Sequence, residues 1–301
     1  KVIDTVNDLD NVLYEICNEC NSGSIAWQYQ MINYIKTYEA GKPKQHPVGM
    51  TGDWVYSNSD VFNSNADWVS PGAGINGNSY QVDPPANNGT KVIISDTDHL
   101  WGIGGDRTWV WKSFTRGINP IFMDGYDNTG TEWDAGWNPS DPTWASLRSN
   151  LGYAKAYANK MNLAQMTPQS NLCSTTYCLA STKEYIVYSP SGGTISVNLS
   201  NTPGIISIEW LNPTNGNITS NGTITGGSTQ SFIAPFSGDA VLYLNEISNV
   251  TSIFPINYSA NRRYLVDKNN NPFPILGRTA WNLLSQNLSA RQTFMTDTIS
   301  R

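Results

Sequence analysis

Apolar and polar positions follow a mixed pattern over residues 1–167. Short apolar runs, each of strand length, occupy residues 11–17, 46–51, 67–70, 91–95 and 119–123. Between these runs, apolar residues recur about one helical turn apart, which predicts helices over residues 24–40, 105–116 and 146–161. Strands that alternate with helices indicate parallel βα units.

The pattern changes near residue 168, where the helical period disappears. Six short β-rich runs follow, at residues 185–188, 194–199, 205–210, 218–224, 230–233 and 240–244. Turns of Gly, Asn, Pro and Ser separate these runs at intervals of about ten residues. This spacing predicts a small antiparallel β-sandwich over residues 168–246.

An αβ pattern returns after the sandwich. Residues 247–261 are expected to be a linker, and the segment 262–301 then begins with a hairpin of residues 264–266 and 274–276. A helical pattern follows from residue 279 to residue 299. A helical pattern is also under way at Lys1, so we expect the sequence to be part of a longer chain.

The composition excludes several kinds of partner. The net charge is −6 and only 14% of the residues are charged, without a basic stripe, which argues against nucleic acid. The chain has no apolar run of about 18 residues, so we expect no membrane span. The 11 Trp and 15 Tyr, with loops rich in Asn, Ser and Thr, are typical of a secreted or cell-surface protein that handles sugars.

The four cysteines form two close pairs. Cys173 and Cys178 predict a local disulfide in an oxidising compartment. Cys17 and Cys20 form a C-x-x-C beside Glu19, which would also fit a redox motif or half of a zinc site. Since the chain has only two histidines, we expect no metal, and we expect no cofactor.

Sequons for N-glycosylation occur at seven positions, as permitted in a secreted protein. They are Asn88, Asn198, Asn217, Asn221, Asn249, Asn257 and Asn287.

Long motifs resemble one family of enzymes. The runs VIDTVNDLDNVLYEICNE, WQYQMINYIKTYEAGKPKQHPVGMT, KVIISDTDHLWGIGGD and NPIFMD are similar to the later part of the catalytic barrel of apiosidase-like glycoside hydrolases, which are of clan-A type. The runs EWLNPTNG and FIAPFSGDAVLYL resemble a C-terminal domain labelled as collagen-binding. The run RRYLVDKNNNPFPILGRTAW resembles the first strand of such a barrel.

The resemblance implies a (β/α)8 TIM-type barrel that is split or incomplete in this chain, together with the β-sandwich. Strands four to eight come first, then the sandwich, then strand one, while strands two and three have no candidate segment. A barrel needs closure to satisfy its edges. We therefore expect a neighbouring repeat or another copy of the chain to complete it. If residues 262–301 close the same barrel, a circular permutation is the better explanation.

The resemblance also places a catalytic carboxylate at Glu19, directly after strand four. Glu19 would be the general acid and base, and Asn18 would contact the sugar 2-hydroxyl. A glycosidic oxygen leaves readily only when it is protonated, so one carboxylic acid must be held near it. An exposed Glu after a strand without catalytic function is the alternative.

The partner carboxylate is implied at the end of strand seven, by Asp96 or Asp98. The clan usually has Glu there, which leaves open both which Asp serves and whether the reaction retains configuration. Capping of the Gly-rich loop through backbone amides is the alternative. His99 would orient a carboxylate or bind a hydroxyl, or would be an ordinary packed residue.

Further residues are candidates for sugar binding. Trp68, Trp101 and Trp133 would stack on the C–H face of a sugar. Asp124, after strand eight, would bind hydroxyls. Near Trp281, the family pattern Gly-Asp-Thr-Ala-Trp has Arg278 in place of Asp, which reverses a charge in the pocket.

Three functions follow as hypotheses. The first is a secreted hydrolase that acts on polysaccharide through a carboxylate pair. The second is a non-catalytic structural glycoprotein whose units assemble with other copies into a filament or surface layer. The third is a carbohydrate- or matrix-binding module. A carboxyl separation of about 5–10 Å would favour hydrolysis, and about 5 Å would favour retention.

Overall fold

The computed structural model describes residues 1–52, 57–73, 79–124, 141–247, 257, 258, 260, 262, 265, 266 and 287–299. The chain divides into two compact units, residues 1–247 and residues 248–301, and each is described by itself. Among the described residues, no helix combines the length and the apolar character that crossing a bilayer requires.

The first part of unit one alternates strands with helices. In chain order its elements are α1 Val2–Val6, β1 Tyr14–Glu15, α2 Ile25–Glu39, β2 Val48–Thr51, α3 Asn58–Asn63, β3 Trp68–Ser70, α4 Ser79–Val82, β4 Val92–Asp96, α5 Asp98–Trp101, α6 Arg107–Thr115, β5 Asn119–Ile121 and α7 Pro142–Lys160. These confirm the predicted strands and helices. The first strand is shorter than predicted, because only two residues pair with β2.

The five strands form one parallel sheet in the order β1-β2-β3-β4-β5. Its carboxyl ends therefore lie along one edge, so residues far apart in sequence meet there. Within the described ranges the sheet does not close into a barrel, and β1 and β5 are its edge strands.

Local sequence explains where the long helices begin. At α6, the Asp106 carboxylate accepts a hydrogen bond of 2.8 Å from the backbone amide of Trp109. At α7, Asp141 accepts from the amide of Thr143 at 2.7 Å, and Pro142 occupies the first helical turn. Asp106 is thus a helix cap.

The second part of unit one is antiparallel. Its strands are β6 Thr167–Pro168, β7 Cys178–Ala180, β8 Glu184–Ser189, β9 Thr194–Asn198, β10 Ile205–Leu211, β11 Ile218–Thr225, β12 Thr229–Ile233 and β13 Ala240–Ile247. A six-stranded sheet, β11-β10-β13-β8-β7-β6, faces the two-stranded sheet β12-β9. Each of the six predicted β-runs coincides with a strand.

The central strands of the large sheet are buried on both faces. Along β8, Val187 points into the core between the two sheets, while Tyr188 points into the core of the α/β part. Trp111 of α6 stacks on Tyr188 with ring centroids 6.4 Å apart. Arg107 binds Asp239 through two hydrogen bonds of 3.0 and 2.9 Å. The α/β part and the sandwich thus pack as one body, and the domain boundary at residue 167 stays a prediction.

The prediction of a Cys173–Cys178 disulfide is wrong in this structure. Both residues are buried free thiols in the sandwich core, where a hydrogen bond from Cys178 lowers the pKa of Cys173 to about 6. The spacing indicated their contact but not their covalent state. The disulfide instead joins Cys17 to Cys20, so these two sulfurs are not available as zinc ligands.

Unit two is described in part. Strand β14 Asn257–Tyr258 pairs antiparallel with β15 Leu265–Val266, and α8 spans Leu288–Ile299. The first arm of the predicted hairpin is therefore a strand, and it pairs with a segment that was predicted to be linker. The second arm lies outside the described residues, as do Arg278 and Trp281.

Candidate active site

Asn18 and Glu19 follow β1 at the carboxyl edge of the parallel sheet. Both are exposed, and Glu19 has a left-handed backbone, with φ of 48°. The Cys17–Cys20 disulfide closes the short loop that contains them. The Thr51 hydroxyl, at the end of β2, donates a 2.8 Å hydrogen bond to the carbonyl of Cys17 and so attaches this loop to the sheet.

Asp96 ends β4, and Asp98 begins α5. The Asp96 carboxylate accepts a 3.0 Å hydrogen bond from the backbone amide of Asp98. Burial raises the pKa of Asp96, and the amide of Asp98 and the charge of His99 offset only part of that effect. Asp96 thus binds a backbone amide at the start of α5, and capping of the Gly-rich loop stays an alternative, whereas an Asp98 carboxylate oxygen lies near Glu19 and His99.

His99 lies beneath the two exposed residues and is only 3% exposed. Its Nδ1 is 2.9 Å from the hydroxyl of Ser70, at the end of β3, and its Nε2 is 3.4 Å from Oδ1 of Asn18. An amide oxygen only accepts, so Nε2 is the donor to Asn18, while the Ser70 hydroxyl can either donate to Nδ1 or accept from it. Both ring nitrogens of His99 are thus hydrogen-bonded.

Glu19, Asp98 and His99 converge at one point. One carboxylate oxygen from each acid and a ring nitrogen of His99 all lie within 4.8 Å of one another. Parallel strand direction brings these residues together, since each follows the carboxyl end of β1 or β4. Two carboxyl groups about 5 Å apart have the spacing of a retaining glycosidase.

The same three groups could also hold a divalent cation, because carboxylate oxygens and an imidazole are common ligands of transition metals. The prediction of no metal stays a prediction.

The prediction that Trp68 stacks on a sugar is wrong. It opens β3, at the opposite end of the strand from the acids, and it is 8% exposed. Its indole covers Gly49, where any side chain would overlap the ring. A ring so enclosed presents no face to a sugar, so Trp68 is a packing residue.

Trp101 ends α5, close in sequence to the acids, and is half-buried. Its ring meets Trp109 edge to face, with centroids 5.6 Å apart. Trp101 therefore has a fixed orientation, and its stacking role stays a prediction. Trp133 lies outside the described residues.

Asp124 follows β5 and forms an ion pair of 2.9 Å with Arg148 of α7. This gives the carboxylate a structural partner, and hydroxyl binding stays a prediction.

Six sequon asparagines are exposed, namely Asn88, Asn198, Asn217, Asn221, Asn257 and Asn287. Asn249 lies outside the described residues. Glycan attachment stays a prediction at each of them.

Two features of the site were missed in the sequence. Ser70 closes the predicted run 67–70, and its place at a strand end was the available signal. The pair Cys17 and Cys20 was interpreted only as a redox or zinc motif. The sequence already showed that these cysteines flank Asn18 and Glu19, and this was the available signal for a disulfide that closes the loop.

A second cluster of titratable groups was also missed, at the amino edge of the sheet. Glu39, at the end of α2, is 1% exposed and accepts hydrogen bonds from Nδ2 of Asn7 and the hydroxyl of Tyr14, both at 3.0 Å. It also accepts from the backbone amide of His46 at 2.7 Å and lies 2.6 Å from the Nδ1 of that ring. The Nε2 of His46 is 2.7 Å from the carbonyl of Leu9.

The partners of His46 determine its charge. A carboxylate and a carbonyl only accept, so both ring nitrogens donate and the imidazole is protonated. Hydrogen bonding to Glu39 and Leu9 accordingly raises the pKa of His46. Burial acts to raise the pKa of Glu39, but the hydrogen bonds outweigh it and lower that pKa. Burial beside Glu39 raises the pKa of Tyr14 to about 12.

Known structures share this fold. A solved structure described as "Glycoside hydrolase" is similar with a TM-score of 0.61 and 13% identity, over 82% of this chain and 67% of that chain. A glycoside hydrolase family 5 protein from Bacteroides vulgatus ATCC 8482 is similar with a TM-score of 0.59 and 14% identity, over 81% of this chain and 64% of that chain. The chain thus spans about two thirds of their lengths. At such identity the similarity shows the fold alone.

Residues 165–245 match the family model described as "Putative collagen-binding domain of a collagenase". This range coincides with the antiparallel part of unit one. No curated protein gives a significant match to the chain. The chain therefore combines a fold similar to that of solved glycoside hydrolases with an antiparallel region that matches this family model.

Proposed function

We propose that this chain carries the catalytic edge of an apiosidase-like, clan-A type glycoside hydrolase that acts with retention of configuration. The convergence of Glu19 and Asp98 within 4.8 Å carries the proposal. Carbohydrate is the substrate, and the protein acts outside the cell, in keeping with its aromatic content and its exposed sequons.

The two acids take different roles. Glu19, after the first strand of the sheet, protonates the glycosidic oxygen as the Asp98 carboxylate attacks the anomeric carbon, and the C–O bond to the leaving alcohol breaks. Glu19 then removes a proton from water, which attacks the same carbon and releases Asp98. Asp96 takes no part, because its carboxylate is engaged with the amide of Asp98.

Neighbouring groups would hold the sugar and the acids in place. The Asn18 side chain meets the 2-hydroxyl, and His99 orients both Asn18 and the acids from below. Trp101 offers an aromatic edge beside the site. These assignments rest on proximity and on the resemblance described above.

A panel of 4-nitrophenyl glycosides, including the arabinofuranoside and the apiofuranoside, tests the proposal. Glu19→Gln and Asp98→Asn should each lower kcat/KM by more than about 100-fold, the scale of losing an acid–base group. Asp10→Asn is the control, since Asp10 is an exposed carboxylate paired with Lys44. Retained activity in either site variant would contradict the assignment.

One observation favours the structural alternative. The parallel sheet of the described residues has two edge strands, and α2 exposes Trp27 and Tyr34 at 48% and 56%. We propose that other copies or repeats supply the missing barrel strands across these surfaces. Sedimentation at rising concentration tests this. A monomer without glycosidase activity would reject both functions.

A further inference from the structure

A single disulfide joins the two ends of the loop that carries Glu19. Cys17 precedes Asn18, and Cys20 follows Glu19, so the bond encloses only these two residues. It holds the Cα atoms of the cysteines 5.7 Å apart. Three residue steps can extend to about 10 Å, so the disulfide keeps the loop folded back.

The backbone of this loop needs a restraint. Glu19 has φ of 48°, a left-handed conformation that is unfavourable for a residue with a Cβ. On its near side, the loop is attached to β2 by the hydrogen bond from Thr51 to the Cys17 carbonyl. The disulfide connects the far side, at Cys20, to this same anchored residue.

We propose that the Cys17–Cys20 disulfide is a positioning element that holds the Glu19 carboxylate at reacting distance from Asp98. The cysteines do not touch the substrate. They act through Glu19, whose side chain is exposed at the rim of the sheet. The inference rests on the proposed function of Glu19.

Reduction of the folded protein tests the proposal. A phosphine gives the disulfide two electrons and, with water, two protons, so two thiols form and the phosphine becomes its oxide. Cys173 and Cys178 are already thiols. Cys173→Ser with Cys178→Ser is therefore the matched control pair, and Cys17→Ser with Cys20→Ser is the test pair.

The measurement is kcat/KM on two glycosides of the sugar that the panel identifies. One has 2,4-dinitrophenolate as leaving group, which departs without protonation, and the other has phenolate, which needs the acid. Reduction or the test pair should lower the phenyl value about 10- to 100-fold, the cost of displacing a catalytic group by about 1 Å. The dinitrophenyl value should change less than threefold.

A purely structural disulfide would lower both values equally, and that result overturns the proposal. So does unchanged hydrolysis of both glycosides after reduction. The control pair should behave as the unsubstituted protein does, including its response to the phosphine. The test pair should show no further response to it.

A titration that needs no activity separates this proposal from the proposed function. Carboxyl groups this close titrate as a coupled pair, so Glu19→Gln should shift the carboxyl ¹³C NMR titration of Asp98 in the oxidised protein. After reduction, that shift should disappear. If it persists, the disulfide does not position Glu19, whether or not any glycoside is cleaved.

Discussion

Two clusters that each join a histidine to carboxylates lie at opposite edges of the same parallel sheet. At the amino edge, Glu39 and His46 are buried, and acceptors satisfy both ring nitrogens of the histidine. At the carboxyl edge, Glu19 is exposed and His99 reaches Asn18 only at 3.4 Å. The same residue types thus serve two purposes: buried, hydrogen-bonded groups stabilise the fold, and solvent-exposed groups can meet a substrate.

The largest expected effect on stability lies at the amino edge. Glu39→Ala removes the acceptor of four hydrogen bonds and leaves His46 charged in a buried place. Breaking a buried pair in this way should cost about 3 kcal/mol or more. Urea unfolding measures it, with Asp98→Ala as the matched change at the other edge, where we expect less than about 0.5 kcal/mol. Equal losses would contradict the comparison.

The pH dependence of stability should follow the same division. The pKa of His46 is raised above 6.5, so its stabilising contribution is complete below that pH and is lost as the pH rises through the folded pKa. The pKa of Glu39 is lowered from 4.5, so its contribution is complete above that pH and is lost as the pH falls through the folded pKa. Stability should therefore be highest between about pH 4.5 and 6.5.

Histidine variants sharpen this prediction. His46→Gln should flatten the decline of the midpoint urea concentration above pH 6.5, since the titrating group is gone. His99→Gln should leave that decline in place, because His99 lies at the carboxyl edge of the sheet and takes no part in the Glu39–His46 pair. A decline that persists in His46→Gln would show that another group titrates there.

The smallest effect is expected at Asp96. Asp96→Asn retains an oxygen that can accept from the amide of Asp98, so kcat/KM should change less than about threefold, far below the effect of removing an acid or base. Asp98→Asn, two residues away, should lower kcat/KM by more than about 100-fold. If Asp96→Asn is the more damaging of the two, the roles of the aspartates are reversed.

The sequence predicted the sandwich well because turn residues interrupt its strands at regular intervals, and each of the six runs became a strand. It also predicted the sheet edge at which Glu19 and Asp98 meet. It did not predict the role of Trp68, since composition cannot separate a ring packed over Gly49 from one that faces a sugar. Nor did it predict which cysteines pair, because spacing shows contact and not covalent state.

The Glu39–His46 cluster was missed for a related reason. Glu39 ends a predicted helix and His46 begins a predicted strand, so each reads as an ordinary boundary residue. Their contact depends on the loop between them and on Tyr14 and Asn7 from earlier elements. Such a network is a property of the tertiary fold and leaves no local pattern.

The large antiparallel sheet has a practical consequence for dissecting the protein. Its face toward the helices covers Trp111 and Tyr157, and Lys160 bonds Glu209 across the same boundary at 2.6 Å. A fragment ending at residue 167 would expose Trp111 and Tyr157 to water and would be prone to aggregate. The shortest soluble fragment that keeps the site should therefore extend through Ile247, because the sandwich covers the helices that pack on the parallel sheet.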